Sequence, residues 1–244
     1  MPSDFRTASQ GAIPFIAGAY ALAVLYTGNN LPSALYGVFR AEFVFSPLTQ
    51  TLLYATAVAV ILPGLLIAGP LSDSIGRRAP MLIGLTVFAF GDLLFALAHN
   101  VGWLFAARVA QGIGMGTATA AAQATLFDNA GLNDGATGDP VHAQRRAATT
   151  ATACITFGLA FGPLLGGVLV QYAPVRLAFL VHLVLVVIAA TLTLRAPGQP
   201  AEHRPWRAGR LAVPVVVRRT FAIAGASSFA AWAVLGVFSA VLPR

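Results

Sequence analysis

Read from its first residue, the chain alternates long apolar runs with short polar breaks. Apolar stretches cover residues 11–35, 48–68, 80–98, 103–127, 147–172, 176–194 and 220–242. A helix needs about 20 apolar residues to cross the hydrocarbon core, so the pattern predicts seven membrane-spanning helices. The first run is interrupted near its end by Gly28, Asn29, Asn30 and Pro32, residue types that favour turns, and its C-terminal limit is the least defined. Residues 1–10 are polar and lack the basic, apolar and small-residue succession of a removable leader, so the first run is read as a retained helix.

Two polar segments divide the runs. Residues 128–146 hold Asp128, Asp134 and Asp139 among Gly131, Gly135 and Gly138, the composition of a flexible connection whose acids are expected to be solvated. Residues 196–211 are rich in Pro, Gly and Arg. The expected organisation is a six-helix unit over residues 1–195, a basic linker over 196–219 and a seventh helix over 220–244.

Composition fixes the class. Of 244 residues, 57% are hydrophobic and only 9% charged, against about 25% charged in a soluble domain. That excludes a soluble enzyme, a disordered chain and a disulfide scaffold, and predicts an all-α integral membrane protein. The net charge of +7 comes from Arg alone, because the chain has no Lys. Schiff-base chemistry and a Walker-type phosphate loop, which both need Lys, are therefore excluded. A single cysteine, Cys154, forbids an internal disulfide, and the four scattered His have no metal-ligand spacing, so no cofactor or metal is expected.

The Arg residues sit in short loops, a topological pattern that points to the bilayer as partner and away from nucleic acid. With the N-terminus inside, Arg6, Arg77, Arg78, Arg145, Arg146, Arg195, Arg204, Arg207, Arg210, Arg218 and Arg219 fall on the cytoplasmic side, against Arg40, Arg176 and Arg244 outside. Eleven against three predicts a multi-pass protein of the inner (plasma) membrane with a cytoplasmic N-terminus. The fifteenth, Arg108, lies within a span.

Three motifs carry more than topology. The connection between the second and third runs reads Gly69-Pro-Leu-Ser-Asp73-Ser-Ile-Gly76-Arg77-Arg78. Inside-positive anchoring explains its Arg residues and a turn its Gly, but neither explains an acid at a helix end. This stretch resembles the G-x-L-x-D-x-x-G-R-R signature of the major facilitator superfamily. The fourth run contains Arg108-Val-Ala-Gln111-Gly112, similar to that superfamily's R-x-x-Q-G element. In the fifth, Gly158, Gly162 and Gly166 recur every four residues beside Pro163 and Gly167, giving one helix face on which a neighbouring backbone can approach closely. The whole resembles the antiporter motif of the drug:proton antiport branch.

The resemblance implies a six-helix bundle of two three-helix repeats plus one further helix, with a C-terminal bundle missing. It also implies secondary active transport, with Arg108 engaged in proton coupling. An Arg in a span costs about 2.5–3.5 kcal/mol at the centre and demands a partner, a cavity or a snorkelling route to the interface. Asp92 is the only carboxylate deep in a run, which makes it the candidate proton carrier. Counting from the hairpin at residues 98–102, Asp92 and Arg108 lie at similar depths, roughly 8–9 Å, so an ion pair between them is geometrically open. A lipid-facing Asp92 near the interface is the alternative. His182, Gln50 and Gln123 read as interhelical glue. The function expected is proton-coupled efflux of small drug-like or metabolite compounds, the partners being substrate and protons. The other reading is a non-transporting remnant, or a half-transporter acting with a second copy or a missing C-terminal half.

Overall fold

The computed structural model describes residues 3–131, 139–172, 174–197, 218–227 and 230; the side chains of residues 3–11, 70, 71, 73 and 74 are outside that description. Among the described residues up to Arg195, seven helices follow one another: α1 (Ser3–Asn30), α2 (Pro32–Phe43), α3 (Pro47–Ile75), α4 (Arg78–Ala96), α5 (Val101–Asn129), α6 (Pro140–Tyr172) and α7 (Val175–Arg195). No strand occurs among the described residues. Local chemistry sets the starts. Pro32 and Pro47 open α2 and α3, where a missing N–H costs nothing. Ser46 Oγ accepts from Thr49 N at 3.2 Å, and Asn100 Oδ1 accepts from Trp103 N at 3.3 Å, capping α3 and α5. Gly76 ends α3 at φ 86°, a left-handed conformation that lets α4 begin two residues later.

The first span is longer than the apolar pattern indicates. It does not stop near residue 35: α1 and α2 form one nearly continuous rod, the apolar part of which runs Ala12–Phe43. Leu31 keeps helical dihedrals, and its N–H still reaches Thr27 O at 2.8 Å. The polar residues that look like a loop instead satisfy backbone at the joint. Asn30 Nδ2 donates to Tyr26 O at 3.0 Å, and Ser33 Oγ donates to Asn30 O at 2.7 Å. Pro32 brings no N–H and interrupts the ladder at the joint, as Pro14 does near the start of the span.

Ala12–Phe43, Pro47–Gly69, Arg78–Ala96, Pro140–Tyr172 and Val175–Arg195 are long and apolar enough to cross a membrane. The remaining long helix of the bundle, α5, is more polar, yet it is the centre of the packing. It contacts α1, α3, α4 and α6, so its polar side chains meet protein. Small residues make this possible. A β-carbon on Gly84 would lie 2.6 Å from the Ala118 side chain, and one on Gly91 would lie 2.7 Å from Gln111 Cγ, so α4 and α5 touch nearly backbone to backbone. The outer faces are apolar, with Val58, Leu62, Leu164, Val184 and Val187 all more than half exposed, as a bundle bathed in hydrocarbon requires.

Residues 1–209 and 210–244 form separate compact units. In the second, residues 218–227 are helical, with Phe221 and Ile223 exposed. Most of the basic linker and of the expected seventh span lies outside the described residues.

Candidate functional site

Four buried polar side chains from three helices form one hydrogen-bonded line through the bundle. Arg108 on α5 is 1% exposed, and Gln111, Asp92 and His182 are fully buried. Arg108 Nη1 donates to Gln111 Oε1 at 3.2 Å, and Gln111 Nε2 donates to Asp92 Oδ1 at 2.8 Å. The other carboxylate oxygen, Asp92 Oδ2, lies 2.7 Å from His182 Nδ1, whose Nε2 lies 3.0 Å from Val24 O on α1. Helical spacing explains the line, since Arg108 and Gln111 are three residues apart and share a face of α5.

The direct contact open to Asp92 and Arg108 on sequence grounds is not made. Gln111 stands between them, because each charge is already held elsewhere. Asp92 spends one oxygen on His182. Arg108 Nε donates to the buried Tyr36 hydroxyl on α2 at 2.6 Å, and Nη1 also donates to Asn29 O on α1 at 2.9 Å. The guanidinium further lies 5.4, 5.7 and 5.6 Å from the ring centres of Tyr36, Tyr54 and Phe95. Such cation–π contacts contribute about 0.5–2 kcal/mol each. They rule out the snorkelling arrangement for Arg108, as complete burial rules out a lipid-facing Asp92.

Space for the line is provided by glycine. A β-carbon on Gly28 would lie 2.6 Å from both His182 Nε2 and Phe88 Cε1. Among the described residues, Asn29 Oδ1 and Arg108 Nη2 are buried polar atoms without a partner, both at the α1 end of the line. No group of three or more His, Cys, Asp or Glu is close enough to hold a metal among the described residues.

The α3–α4 connection forms a second cluster at one end of the bundle. Arg77 Nε donates to Asp128 Oδ2 at 3.1 Å, and Nη1 donates to Ser72 Oγ at 2.9 Å. Arg78 Nη2 donates to Leu194 O at the end of α7. Asp128 is exposed, as expected, but it sits in the last turn of α5 and not in a loop, and it ties that helix to the connection. Asp139 likewise caps α6, accepting from Val141 N at 2.9 Å. Gly69 faces open space, and the side chain of Asp73 is outside the described residues.

The glycines of α6 divide. Gly158 and Gly162 are buried against α1 and Gly166 against the joint to α2; an added β-carbon would lie 2.6 Å from Ala23 O at the first, collide with Thr27 O at the second and lie 2.9 Å from Leu31 O at the third. Gly167 turns away, its nearest neighbour being Ala34 Cβ at 3.9 Å, and Pro163 lies within the helix. Gly112 packs α5 onto α3, with a β-carbon position 3.0 Å from Ala57 O. Gln50 and Gln123 take no part in the buried line.

Tyr36 and Asn29 are members without a signal in the apolar pattern, since they lie in or beside the stretch that reads as a loop. His182 does join helices, as expected of it, but its partner Asp92 is not foreseen, although His182 stands about as far into its span as Asp92 does into its own.

A family model described as Major Facilitator Superfamily matches residues 16–244. The chain is 32% identical over 197 residues to the cephamycin export protein CmcT of Amycolatopsis lactamdurans, covering 81% of this chain and 38% of that protein. It is 31% identical over 130 residues to the MFS efflux transporter aclA of Aspergillus oryzae, covering 53% and 21%. With the human vesicular acetylcholine transporter the identity is 36% over 135 residues, covering 55% and 24%. The crystal structure of the human organic anion transporter MFSD10 shares the fold with a TM-score of 0.53 at 21% identity, covering 88% of this chain and 52% of that one. The chain thus spans well under half the length of these curated relatives.

Proposed function

Because the chain belongs to the major facilitator superfamily, we propose that it supplies one six-helix bundle of a proton-coupled exporter of small organic compounds, working with a second bundle. The observation that carries the reading is the buried line Arg108–Gln111–Asp92–His182. Removing charges from water costs several kcal/mol per ion, and an apolar core of the same volume is often at least as stable. A bundle that only had to stand in the membrane gains nothing from such a line. One that must register a proton needs titratable groups linked to a fixed charge.

Export of small organic molecules as the direction and cargo is supported by the names of the relatives. The plasma membrane, with the N-terminus cytoplasmic, is the setting we propose from the distribution of Arg. The motif residues Gly69, Asp73, Gly76, Arg77 and Arg78 would hold the bundle's inner end, and Gly158, Gly162, Pro163, Gly166 and Gly167 would seat α6 on α1 and shape it. The second bundle would be another copy of this chain or a C-terminal half of the kind its longer relatives have the length for.

The test is flux in liposomes under an imposed pH gradient, with a lipophilic cation as cargo. Vesicles holding single copies should accumulate nothing. Vesicles holding several copies, or the chain together with the C-terminal half of a full-length relative, should accumulate cargo in a saturable, gradient-dependent way that Asp92→Asn abolishes. Flux from single copies would overturn the two-bundle reading, and none under any of these conditions would overturn transport.

A further inference from the structure

We propose that Asp92 and His182 hold one exchangeable proton between them, and that Gln111 passes the charge state of this pair to Arg108. The inference deepens the proton-coupled reading and rests on it for its role, but its chemistry stands on the geometry of one ring. His182 Nε2 lies 3.0 Å from Val24 O, an atom that can only accept, so Nε2 carries a hydrogen. Nδ1 lies 2.7 Å from Asp92 Oδ2. If Nδ1 bore only its lone pair and the carboxylate were ionised, two acceptors would face one another at hydrogen-bond distance in a fully buried site. A proton therefore lies between them, as an imidazolium beside a carboxylate or as a neutral imidazole beside a carboxylic acid. Both descriptions give the pair the same composition and a net charge of zero.

Release of that proton leaves the carboxylate, a neutral imidazole with one ring hydrogen, and a pair charge of −1; the proton goes to water as hydronium. Two acceptors would then face one another at 2.7 Å, so the Asp92–His182 contact must open or the ring hydrogen must shift from Nε2 to Nδ1. The groups around the pair are few. From α1 come Val24 O and Gly28, from α4 the Phe88 ring, 5.8 Å from the imidazole, and from α5 Gln111. Arg108 is the remaining charged group of the line, reached through Gln111 and held on its far side by Tyr36 and Asn29. With the proton bound, the line totals +1 and Arg108 faces a neutral pair. With it gone, the line totals zero and Arg108 faces a net negative charge across one amide, with the same low-dielectric surroundings to carry the attraction.

Gly28 shows that the ring's place is built rather than incidental. Any β-carbon there would collide with the imidazole and with Phe88, so α1 is cut away at the one point where the ring crosses to Val24.

Infrared pH-difference spectra of the 244-residue chain in liposomes test the pair without cargo or gradient. In the wild type, the Asp92 carboxyl bands, of the acid or of the carboxylate beside an imidazolium, and the ring modes of one histidine should change together in a single transition. Asp92→Asn should remove the carboxyl band and that ring signal, because the Asn amide can donate to Nδ1 and accept from Gln111 in the place of the protonated acid. In His182→Gln the carboxyl band should persist with its proton affinity changed more than about tenfold, which moves the midpoint by more than about one pH unit. An unchanged midpoint in His182→Gln would overturn the pair, as would the absence of any Asp92-dependent band between about pH 4 and 10. Protection from urea-free thermal unfolding, followed by circular dichroism, confirms that each variant is folded when its spectrum is read. If the spectra behave as expected and vesicle flux is absent, the exporter reading fails and the proton pair stands. If flux occurs and the His182→Gln midpoint is unmoved, the pair fails alone.

Discussion

Replacing Gly28 by Ala adds a single methyl group at the point where α1 meets His182. That carbon would lie 2.6 Å from His182 Nε2 and from Phe88 Cε1, about 1 Å inside an ordinary contact distance. Both rings are buried and wedged, so they cannot swing clear. Overpacking of this kind costs about 1–3 kcal/mol. Displacing the imidazole also loses its bond to Val24 O, about another 1 kcal/mol. Ala is a better helix former than Gly by about 1 kcal/mol, which leaves a net loss of about 1–3 kcal/mol. Gly37 provides the control. It lies in α2 with nothing within 4 Å of an added β-carbon, so Gly37→Ala should be neutral or stabilising by up to about 1 kcal/mol. Equilibrium unfolding of the two variants in mixed micelles, followed by tryptophan fluorescence, should separate them by about 1–4 kcal/mol. A double-mutant cycle with His182→Ala should recover at least about 1 kcal/mol, since removing the ring removes part of the clash. Equal stability of Gly28→Ala and Gly37→Ala would refute the packing on which the proton pair depends.

Reporter fusions at Pro200 and at Asn100 should report opposite sides of the membrane, with Pro200 inside; the same side for both would sink the topology. Arg108→Ala should depress folded yield far more than Arg77→Ala, by about 3–5 kcal/mol against about 0–1 kcal/mol in unfolding titrations, because one is a buried charge with fixed partners and the other a part-exposed ion pair. The exchange Asp92→Arg with Arg108→Asp should give no recovery over the single variants, since Gln111 separates the two sites; rescue by the exchange would show that they pair directly. Asp73→Asn, measured in vesicles that also hold the C-terminal half of a full-length relative, should insert normally and slow turnover, whereas unchanged turnover would reduce that motif to an anchoring signal.

Hydrophobic runs alone marked the spans, because lipid tolerates almost nothing else on a helix surface. They misjudged the first span for a physical reason. Asn30 and Ser33 are read as loop formers on propensity, but in a membrane they can bond back to the helix's own carbonyls and so mend a break. Run length recognised α5 even though its polarity sets it apart, since a central helix is sheltered by its neighbours. The glycine ladder of α6 was visible from its spacing, although nothing in the spacing says that Gly167 points away. The partner of Asp92 was not legible. Depth can be counted along a sequence, but the rotation of α4 and α7 about their axes cannot, and rotation decides that the carboxylate meets an imidazole and an amide rather than a guanidinium. The same counting that linked Asp92 to Arg108 fits His182 as well, and only the three-dimensional arrangement chooses between them.

The bend at Pro32 acquires a further meaning from what grips it. Arg108 holds Asn29 O, on the α1 side of the joint, and the Tyr36 hydroxyl, on the α2 side. One guanidinium thus acts as a splint across the joint where Pro32 interrupts the backbone bracing of the first span. While the splint is in place, the two segments are locked at a fixed angle. Gly166 of α6 rests against the same joint, where an added β-carbon would lie 2.9 Å from Leu31 O, so a neighbouring helix and a guanidinium both hold it.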